Sequence, residues 1–259
     1  MVPSTTDRRL HITKQIEQNE QVDVALLSKQ FEVSEVTIRK DLRYLENKNI
    51  LIRTRGGAMK QSVINTDLSI FERRRKNIQH KKAIGELAAS LIKNGETILL
   101  DSGTTIMELV KNISKRIEIT IITNAIDIAY HLIEFPNIKV IVPGGFLRRN
   151  SISLVGEQAA ETLRNYYCDK CFLSVDGIDA EKGLLTNNLE EAHLSRIAVN
   201  NSKEVILLAD SSKFQNNGVM AITPFNNIDT LITDENITPE QQQQLAKANI
   251  KTLIAEKIQ

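Results

Sequence analysis

Hydrophobic and polar positions follow a helical spacing most clearly over residues 34–46. The apolar positions, which would form one face of a helix, are Ile38, Leu42 and Leu45, with Val36 near the start. The opposite face carries the polar and cationic side chains of Thr37, Arg39, Lys40 and Arg43. Ser34 is a good N-cap for this pattern, because its hydroxyl can accept a hydrogen bond from a free backbone N–H. The pattern predicts a helix with an apolar seam and a cationic front.

Two neighbouring segments place this helix in a larger motif. Residues 22–31 form a second short apolar-periodic helix, and residues 32–34 join the two in a turn as short as a helix-turn-helix allows. Residues 50–58 read as a short strand that ends in a glycine turn, which would form a basic wing. Together with a first helix over residues 7–19, these elements predict a winged helix-turn-helix at the start of the chain.

The cationic front has two competing interpretations. A charged helix face is usually a solvated surface, but its place in a helix-turn-helix favours DNA. Cations would contact phosphates, and short polar side chains near the helix N-terminus would contact base edges in the major groove. Winged helices also serve as protein-interaction modules, so this alternative stays open here. The candidate DNA-contacting residues are Ser34, Glu35, Thr37, Arg39, Lys40, Arg43, Arg53 and Arg55.

The rest of the chain alternates between short apolar strands and helices. The predicted strands cover residues 97–100, 117–123, 138–142, 171–175, 204–209, 230–233 and 251–254. The main helices predicted around them cover residues 82–93, 106–112, 157–166, 190–200 and 239–248. Continuous apolar strands separated by helices indicate an α/β fold with a parallel sheet covered on both faces. We therefore predict a winged helix-turn-helix domain over 1–60, a linker over 61–80 and an α/β domain over 81–259.

Polar and glycine-containing sequences follow the predicted strands. In an open α/β sheet the ligand site lies beyond the carboxyl ends of the strands. The candidate ligand-contacting residues there are Asp101, Ser102, Gly103, Thr104, Thr105, Asn124, Gly144, Gly145, Asp176, Asp179 and Lys213. Residues 102–105 suit a phosphate, because glycine lets the backbone approach and the helix N-terminus supplies free N–H groups. A strand-to-helix turn also uses these residue types simply for capping.

Charge is distributed unevenly along the chain. The whole protein has a formal net charge of +1. Residues 1–82 hold 17 Lys and Arg against 10 Asp and Glu, whereas residues 83–259 hold 16 against 22. A basic N-terminal part followed by an acidic body is typical of a DNA-reading head on a body that avoids phosphates. Residues 73–76 contribute to the basic excess and could equally be a solvated helix face.

Composition narrows the remaining classes of protein. A chain of 259 residues with 41% hydrophobic content is long enough for two globular domains. Cys168 and Cys171 have a CxxC spacing, but the apolar run that begins at Cys171 favours packing over metal or redox chemistry. The four histidines show no ligand spacing, so neither a metal nor a cofactor is predicted. No apolar run reaches the length of a membrane span and no signal-peptide pattern precedes the first helix, so we expect a cytoplasmic protein.

The N-terminal motifs resemble those of a known family. Residues 37–42, TIRKDL, followed by Leu45–Glu46 and by residues 53–58, RTRGGA, resemble the winged helix-turn-helix of the DeoR family of bacterial transcriptional regulators. Arg8 and Arg9 at the head of the first helix extend this match. Because several spaced elements agree in order and distance, the resemblance implies a double-stranded DNA operator as partner.

The body is similar to the C-terminal sensor domain of the same family, so the resemblance covers nearly the whole chain. It implies a Rossmann-like sheet, related to ribose-5-phosphate isomerase, that responds to phosphorylated sugars. In that case residues 102–105 would hold the phosphate, and the residues facing the sugar would be Asp176, Asp179, Glu191 and Lys213. Residues 163–167, 175–179 and 188–192 look closest to repressors of N-acetylgalactosamine or galactosamine catabolism, although Leu189 stands where some of these have a glutamate.

Two classes of function follow. The first is a transcriptional regulator, most simply a repressor of a sugar or amino-sugar operon, acting as a homo-oligomer such as a dimer or tetramer on repeated half-sites. The second is a sugar-phosphate isomerase or deaminase with an N-terminal appendage, in which Asp176 and Asp179 would serve as bases. The segment after Asp179 lacks the glycine run of those isomerases, which favours binding without turnover. We therefore expect that this protein is not an enzyme.

Overall fold

The structure, a computed structural model, describes residues 4–19, 21–48, 50–54, 56–60, 68–215 and 218–256. The chain divides into two compact units, Met1–Thr66 and Asp67–Gln259. Each unit has its own buried apolar cluster, so each is described separately below. Within the described residues no helix is long and apolar enough to cross a membrane.

The first unit is a small helical domain with a three-stranded sheet. Its elements are α1 (Thr5–Asn19), β1 (Gln21–Asp23), α2 (Val24–Phe31), α3 (Glu35–Asn47), β2 (Leu51–Arg53) and β3 (Gly57–Lys60). The core is built from apolar side chains of every one of the three helices, including Ile12, Leu27 and Ile38. The two helices predicted over 22–31 and 34–48 and the wing are therefore present.

Local chemistry explains the boundaries of α2 and α3. The carboxylate of Asp23 accepts hydrogen bonds from the N–H groups of Ala25 and Leu26, and thereby starts α2 one residue after the short strand β1. The predicted helix over 22–31 is thus too long at its start, because Val22 pairs with Ala58 in the wing sheet. Between the helices Glu32 adopts a left-handed backbone with φ of 54°, which reverses the chain within one short turn.

The second unit contains the larger sheet and its covering helices. Its helices are α4 (Ile70–Arg75), α5 (Ile78–Ala89), α6 (Thr104–Lys111), α7 (Ile126–Leu132), α8 (Glu157–Arg164), α9 (Leu189–Asn200) and α10 (Pro239–Lys247). Its strands are β4 (Thr97–Leu100), β5 (Ile119–Thr123), β6 (Ile138–Ile141), β7 (Phe146–Arg148), β8 (Ser153–Val155), β9 (Cys168–Leu173), β10 (Gly177–Asp179), β11 (Gly183–Thr186), β12 (Ser202–Leu208), β13 (Met220–Thr223), β14 (Thr230–Asp234) and β15 (Lys251–Ala255).

The main sheet has seven parallel strands in the order β15-β14-β12-β9-β4-β5-β6. Each strand was predicted from the sequence as a short apolar run, and the predicted α/β fold class is confirmed. The chain runs from β4 outward through β5 to β6, and then returns to lay β9 on the other side of β4. The carboxyl ends of β4 and β9 therefore flank the topological switch point of the sheet, where such folds bind their ligands.

Two antiparallel additions were not predicted. β7 pairs with β8, and β10, β11 and β13 form a separate three-stranded sheet. These strands have three or four residues each, too few for an alternating pattern to stand out from a loop. Both additions lie in the chain directly after a strand of the main sheet, so they determine which side chains can approach its carboxyl edge.

The linker prediction is wrong for residues 68–80. Ser69 caps α4 in a capping box with Glu72, and the buried Ile70 donates its N–H to the carbonyl of Asn150 in the second unit. α5 likewise begins at Ile78, four residues before the helix predicted from Lys82. The polar composition of this segment hid its structure, because only a few apolar side chains anchor it. Residues 61–67 of the predicted linker lie outside the described residues.

α5 and α6 are packed against each other at unusually close range. A Cβ added at Gly85 would lie 2.5 Å from the backbone of Glu108 and Leu109. Only glycine leaves room for the two helices at this crossing. The close contact fixes the start of α5 relative to the start of α6, and both starts lie at the carboxyl edge of the sheet.

Candidate functional site

The front of α3 presents its cations to solvent. The side chains of Ile38, Leu42 and Leu45 are buried, as the amphipathic pattern predicts. On the opposite side Lys40 and Arg43 are exposed, and within the described residues their side chains form no hydrogen bond or ion pair. Unpaired, exposed cations on one helix face are what a polyanion such as DNA can contact without first breaking a bond.

The first turn of α3 uses two of the predicted polar residues for its own capping. The Ser34 hydroxyl accepts a hydrogen bond from the N–H of Thr37 at 3.2 Å, and the two hydroxyl oxygens lie 2.9 Å apart. Glu35 and Arg39 form an exposed ion pair at 2.7 Å, four positions apart on the helix. These contacts hold the side chains at the helix N-terminus in defined positions, which is where base edges are contacted.

The wing is attached to α3 through one of its arginines. The Arg53 guanidinium donates to the Glu46 carboxylate at 2.6 Å, and the Arg53 N–H donates to the same carboxylate. These hydrogen bonds lower the pKa of Glu46 below its ordinary value. Arg53 therefore positions the wing as well as adding charge to it. Arg55, the other predicted wing contact, lies outside the described residues.

A buried charge cluster joins α1 to α3. Asp41 accepts a hydrogen bond from Arg8 Nε at 2.6 Å and another from Arg9 Nε at 2.7 Å, and the carboxylate is almost fully buried. The Arg9 guanidinium also lies over the ring of Tyr44, 3.8 Å from its centroid. The sequence showed the arginine pair but not its partner, because Asp41 falls within the cationic helix and reads as a surface charge.

At the switch point of the main sheet, Asp101 follows β4 and Ser174 follows β9. The Asp101 carboxylate accepts hydrogen bonds from Ser102 N at 2.8 Å and Ser174 N at 3.1 Å, so it ties the two strand ends together. Burial raises the pKa of Asp101 to about 7, and the negative charge of Glu191 adds to this rise. The carboxyl therefore titrates near neutral pH and can donate as well as accept a hydrogen bond.

The loop after Asp101 brings backbone rather than side chains to the site. Gly103 packs against Ser174, and a Cβ at Gly103 would lie 2.4 Å from the Ser174 hydroxyl oxygen. No side chain of the described residues caps the N-terminus of α6, so N–H groups of its first turn remain available to an anion.

Two carboxylates face the same region, one from the loop after β9 and one from α9. Asp176 accepts hydrogen bonds from the Thr186 hydroxyl and the Asn187 N–H, both at 3.0 Å, and lies 3.3 Å from Arg73 Nη1. Glu191, in the first turn of α9, forms an ion pair with the buried Arg148 at 2.9 Å. Burial raises the pKa of Glu191 above its ordinary value, and Arg148 opposes that rise.

Two lysines, Lys81 and Lys213, lie in the same part of the unit, and burial disfavours their charged forms. Desolvation lowers the pKa of Lys81 to about 8, and its ammonium donates to the carbonyl of Arg73. Burial also lowers the pKa of Lys213, although the negative charges of Asp176 and Asp210 favour its charged form. Within the described residues the Lys213 ammonium forms no hydrogen bond or ion pair, so it remains free to meet an anionic ligand.

Comparison with known protein families assigns both units. Residues 8–62 match the DeoR-like helix-turn-helix domain, and residues 76–235 match the DeoR C terminal sensor domain. The chain belongs to the DeoR family.

Several DeoR-family relatives match nearly the full chain. A protein of Escherichia coli O157:H7 named as an aga operon transcriptional repressor is 35% identical over 98% of this chain and 95% of its own length. The HTH-type transcriptional regulator GolR of Listeria innocua is 34% identical over 96% of this chain and 98% of its own. The transcriptional repressor GlcR of Bacillus subtilis is 34% identical, and the match covers 88% of each chain.

These matches make the protein a DNA-binding transcriptional repressor, and the isomerase alternative has no support among them. A ribose 5-phosphate isomerase from Methanocaldococcus jannaschii matches 54% of this chain and 55% of its own, with 18% identity and a TM-score of 0.41. At this score the likeness carries no argument about activity.

In this DeoR-family repressor, the predicted sensor residues separate into two groups. Asp101, Ser102, Asp176 and Glu191 line one polar pocket, together with Ser174, Thr186, Ser195 and Arg73 of α4. Thr104 lines a neighbouring groove, where Arg74 and Asp127 form an ion pair at 2.6 Å. Adjacent arginines of α4 therefore line two different regions of the second unit.

The other predicted positions have local structural roles. Asn124 exchanges hydrogen bonds with the backbone of Leu154 and so attaches the β7–β8 hairpin. Gly144 and Gly145 have φ of 81° and 113° in the turn before β7, a backbone region that favours glycine. Asp179 accepts from the N–H groups of Glu181 and Lys182 in the turn between β10 and β11. None of these four lines the pocket around Asp176.

Sequence reasoning missed six polar residues that line or surround the pocket within the described part of the chain, namely Arg73, Lys81, Arg148, Ser174, Thr186 and Ser195. Arg73 belongs to the basic residues 73–76, for which the sequence favours a linker or a solvated helix face, and Lys81 stands directly before the helix predicted from Lys82. Ser174 ends the strand predicted over 171–175, so it could have been found by the same strand-end rule that selected Asp101. Arg148 carried no signal, because its hairpin was not predicted.

Proposed function

We propose that this repressor controls genes of amino-sugar catabolism and that a phosphorylated amino sugar, bound at the switch point, changes its affinity for the operator. The observation that carries the proposal is that carboxylates and lysines, groups of opposite charge, are buried together at that point. Carboxylates suit the hydroxyl and amino groups of a sugar, and lysines with free helix N–H groups suit a phosphate. The name of the aga operon relative supports the sugar class.

In this proposal the two ends of the effector meet different residues. Asp101, Asp176 and Glu191 hydrogen-bond to the sugar. The phosphate is bound by Lys213 together with the backbone of residues 102–105 at the start of α6. Lys213 is the strongest candidate among these, because burial lowers its pKa, Asp176 and Asp210 offset only part of that cost, and no described residue pairs with its ammonium directly.

The pocket lined by Asp101, Asp176 and Glu191 is nearly closed in this structure by its own side chains. Its free volume is about 20 Å³, which is room for about one water molecule. Arg73 lines this pocket and forms an ion pair with Asp176, so a sugar that takes the Asp176 carboxylate competes with α4 for it. Because the effector can shift the protein only toward the arrangement it binds better, this competition gives it a preference for a displaced α4. α4 follows directly on the segment that leaves the first unit.

On the DNA side, Lys40 and Arg43 contact phosphates, while Ser34, Glu35, Thr37 and Arg39 lie at base edges. Arg53 and Arg55 place the wing beside the backbone of the duplex. We further propose a homo-oligomer, a dimer or tetramer, because two copies of one reading head match repeated or palindromic half-sites.

The test is fluorescence anisotropy of the full-length protein on duplexes selected from a random-sequence pool. The bound complex is titrated with phosphates of galactosamine, N-acetylgalactosamine and other sugars, with inorganic phosphate and with the unphosphorylated sugars. We expect one amino-sugar phosphate to change the affinity for DNA while its unphosphorylated form does not. Operator binding that is unaffected by every sugar phosphate would overturn the assignment of the sensor site.

A pair of matched variants tests the role of Lys213. Lys213→Met should raise the effector concentration needed for half-maximal response by about tenfold or more, because it removes a direct charge on the phosphate. Lys203→Met removes an exposed lysine that pairs with Asp169 at the opposite end of the strands, and should leave the response unchanged. Equal responses in both variants would contradict the assignment of Lys213 to the phosphate.

A further inference from the structure

Val36 lies at the most outward position of the first turns of α3. Its side chain is 60% exposed, whereas Ile38, Asp41, Leu42 and Leu45 are buried. Successive residues of an α-helix are rotated by about 100°, which places Val36 directly opposite the centre of that buried set. Val36 therefore points away from the core, and the sequence-based placement of Val36 at the start of the apolar seam is wrong, because helix geometry puts it on the opposite face.

The neighbours of Val36 on this face are cations. Arg39 and Lys40 lie one turn further along the helix, at the spacings that place side chains next to each other, and Arg43 lies two turns further. An apolar side chain therefore stands at the N-terminal end of a positively charged stripe. Scattered exposed apolar residues are common and need no explanation, but this one occupies the position that enters a major groove first.

We propose that Val36 is a specificity-determining residue whose methyl groups contact the C5-methyl of a thymine in each half-site of the operator. The C5-methyl of thymine is the apolar group that base edges present in the major groove. A β-branched side chain on a helix keeps essentially one χ1 rotamer, so its methyl groups are held in place and lose little freedom on contact. The proposal depends on DNA binding by α3 and is independent of the sensor site.

The roles of the other front residues sharpen this assignment. Ser34 and Thr37 use their hydroxyls in the cap, and Glu35 and Arg39 are paired with each other. Lys40 and Arg43 carry charge that attracts any phosphate and cannot by itself distinguish one base pair from another. Val36 adds a contact that depends on the identity of the base.

The experiment removes the two contacting groups separately and together. Duplexes are selected from a random-sequence pool by the full-length protein, and each thymine of the selected site is replaced in turn by uracil, which lacks only the methyl group. Affinities are measured for wild type and Val36→Ala at a fixed salt concentration. Alanine is a better helix former than valine, so the variant keeps its helix. Val219→Ala makes the same change at an exposed position of the second unit.

We expect uracil at one thymine position of each half-site to weaken wild type by roughly three- to fivefold per half-site, the effect of one buried methyl group. Val36→Ala should show the same loss on the thymine duplex and no further loss with uracil. Val219→Ala should behave as wild type. The proposal fails if no uracil substitution weakens wild type, or if uracil weakens wild type and Val36→Ala equally. It also fails if Val36→Ala weakens selected and scrambled duplexes by the same factor.

Discussion

The two units of this repressor place their charges in opposite ways. In the first unit the cations that face outward, Lys40 and Arg43, are exposed and unpaired within the described residues, while the carboxylate of Asp41 is buried between two arginines. In the second unit lysines and carboxylates are buried together at the edge of the main sheet. Exposed charges, as in the first unit, suit a long polyanion that binds at the surface. Buried charges, as in the second unit, suit a small ligand that enters a pocket.

The difference has a consequence for salt. Exposed charges more than about 10 Å apart are largely screened at 0.1 M ionic strength, but buried groups are screened much less. DNA binding by the first unit should therefore weaken steeply with salt, whereas effector binding by the second should change little. The experiments below test this contrast, beginning with the largest expected effect.

Removing the buried carboxylate of the first unit should cause the largest loss of folding stability. Asp41→Ala leaves Arg8 and Arg9 without the acceptor that both share, and breaking a buried pair in this way costs about 3–5 kcal/mol. We expect the first unit to unfold at lower denaturant concentration and DNA binding to be lost, while the second unit keeps its own unfolding transition. Chemical denaturation followed by circular dichroism measures both.

The matched control for Asp41 is an exposed carboxylate on the same helix. Glu35→Ala breaks the surface pair with Arg39, and such pairs contribute about 0.5 kcal/mol or less. Equal destabilisation by the two substitutions would contradict the structural role given to the buried cluster.

Removing exposed cations of α3 should have the next largest effect. Lys40→Ala and Arg43→Ala together should reduce the slope of log affinity against log salt by nearly 2, because each phosphate contact contributes about 0.9. The fold should be unaffected, since both side chains are unpaired within the described residues. Anisotropy titrations between low and moderate salt give the slope. Lys203→Ala on the second unit serves as control, and a slope as reduced in this control as in the double variant would remove α3 from the contact surface.

The remaining test is a pH dependence in the second unit. The folded pKa of Asp101 is raised from 3.8 to about 7, so its contribution to stability is fully present below pH 3.8 and is lost as pH rises through 7. Asp101→Asn should remove this loss and make the unfolding free energy of the second unit flatter between pH 4 and 8. Asp169 has a lowered pKa, so Asp169→Asn should change the slope of stability against pH only below its ordinary pKa of 3.8 and should leave the slope at higher pH unchanged. An unchanged slope in Asp101→Asn would show that another group carries it.

The sequence predicted those features of the fold that depend on repeated patterns. Seven apolar runs became the seven strands of one parallel sheet, and the seam of α3 is buried as its spacing requires. The sequence did not predict segments that only one or two buried side chains anchor, such as α4, which is anchored by Ile70. A local composition rule cannot reveal such an anchor, because the partner, Asn150, lies 80 residues further along the chain.

The candidate sensor site shows the same division. Asp101 and Asp176 could be selected because each follows a strand, and both line the pocket. Asp179 satisfied the same rule but serves a hairpin turn, since the next backbone N–H groups compete for its carboxylate. Lys81 could not be selected at all, because its burial depends on how α5 lies across the sheet edge. Strand ends identify where a site lies, and tertiary packing decides which side chains enter it.

Position 85 is a place where conditional alleles should arise. A side chain larger than hydrogen there would meet the backbone of α6 and force α5 away from it. The second unit would tolerate this displacement at low temperature. On warming, the destabilised unit would unfold. In a selection for cells that express the repressed genes only at high temperature, substitutions of Gly85 are therefore expected among the isolates. They would mark the crossing of two helices in the unit that does not carry α3.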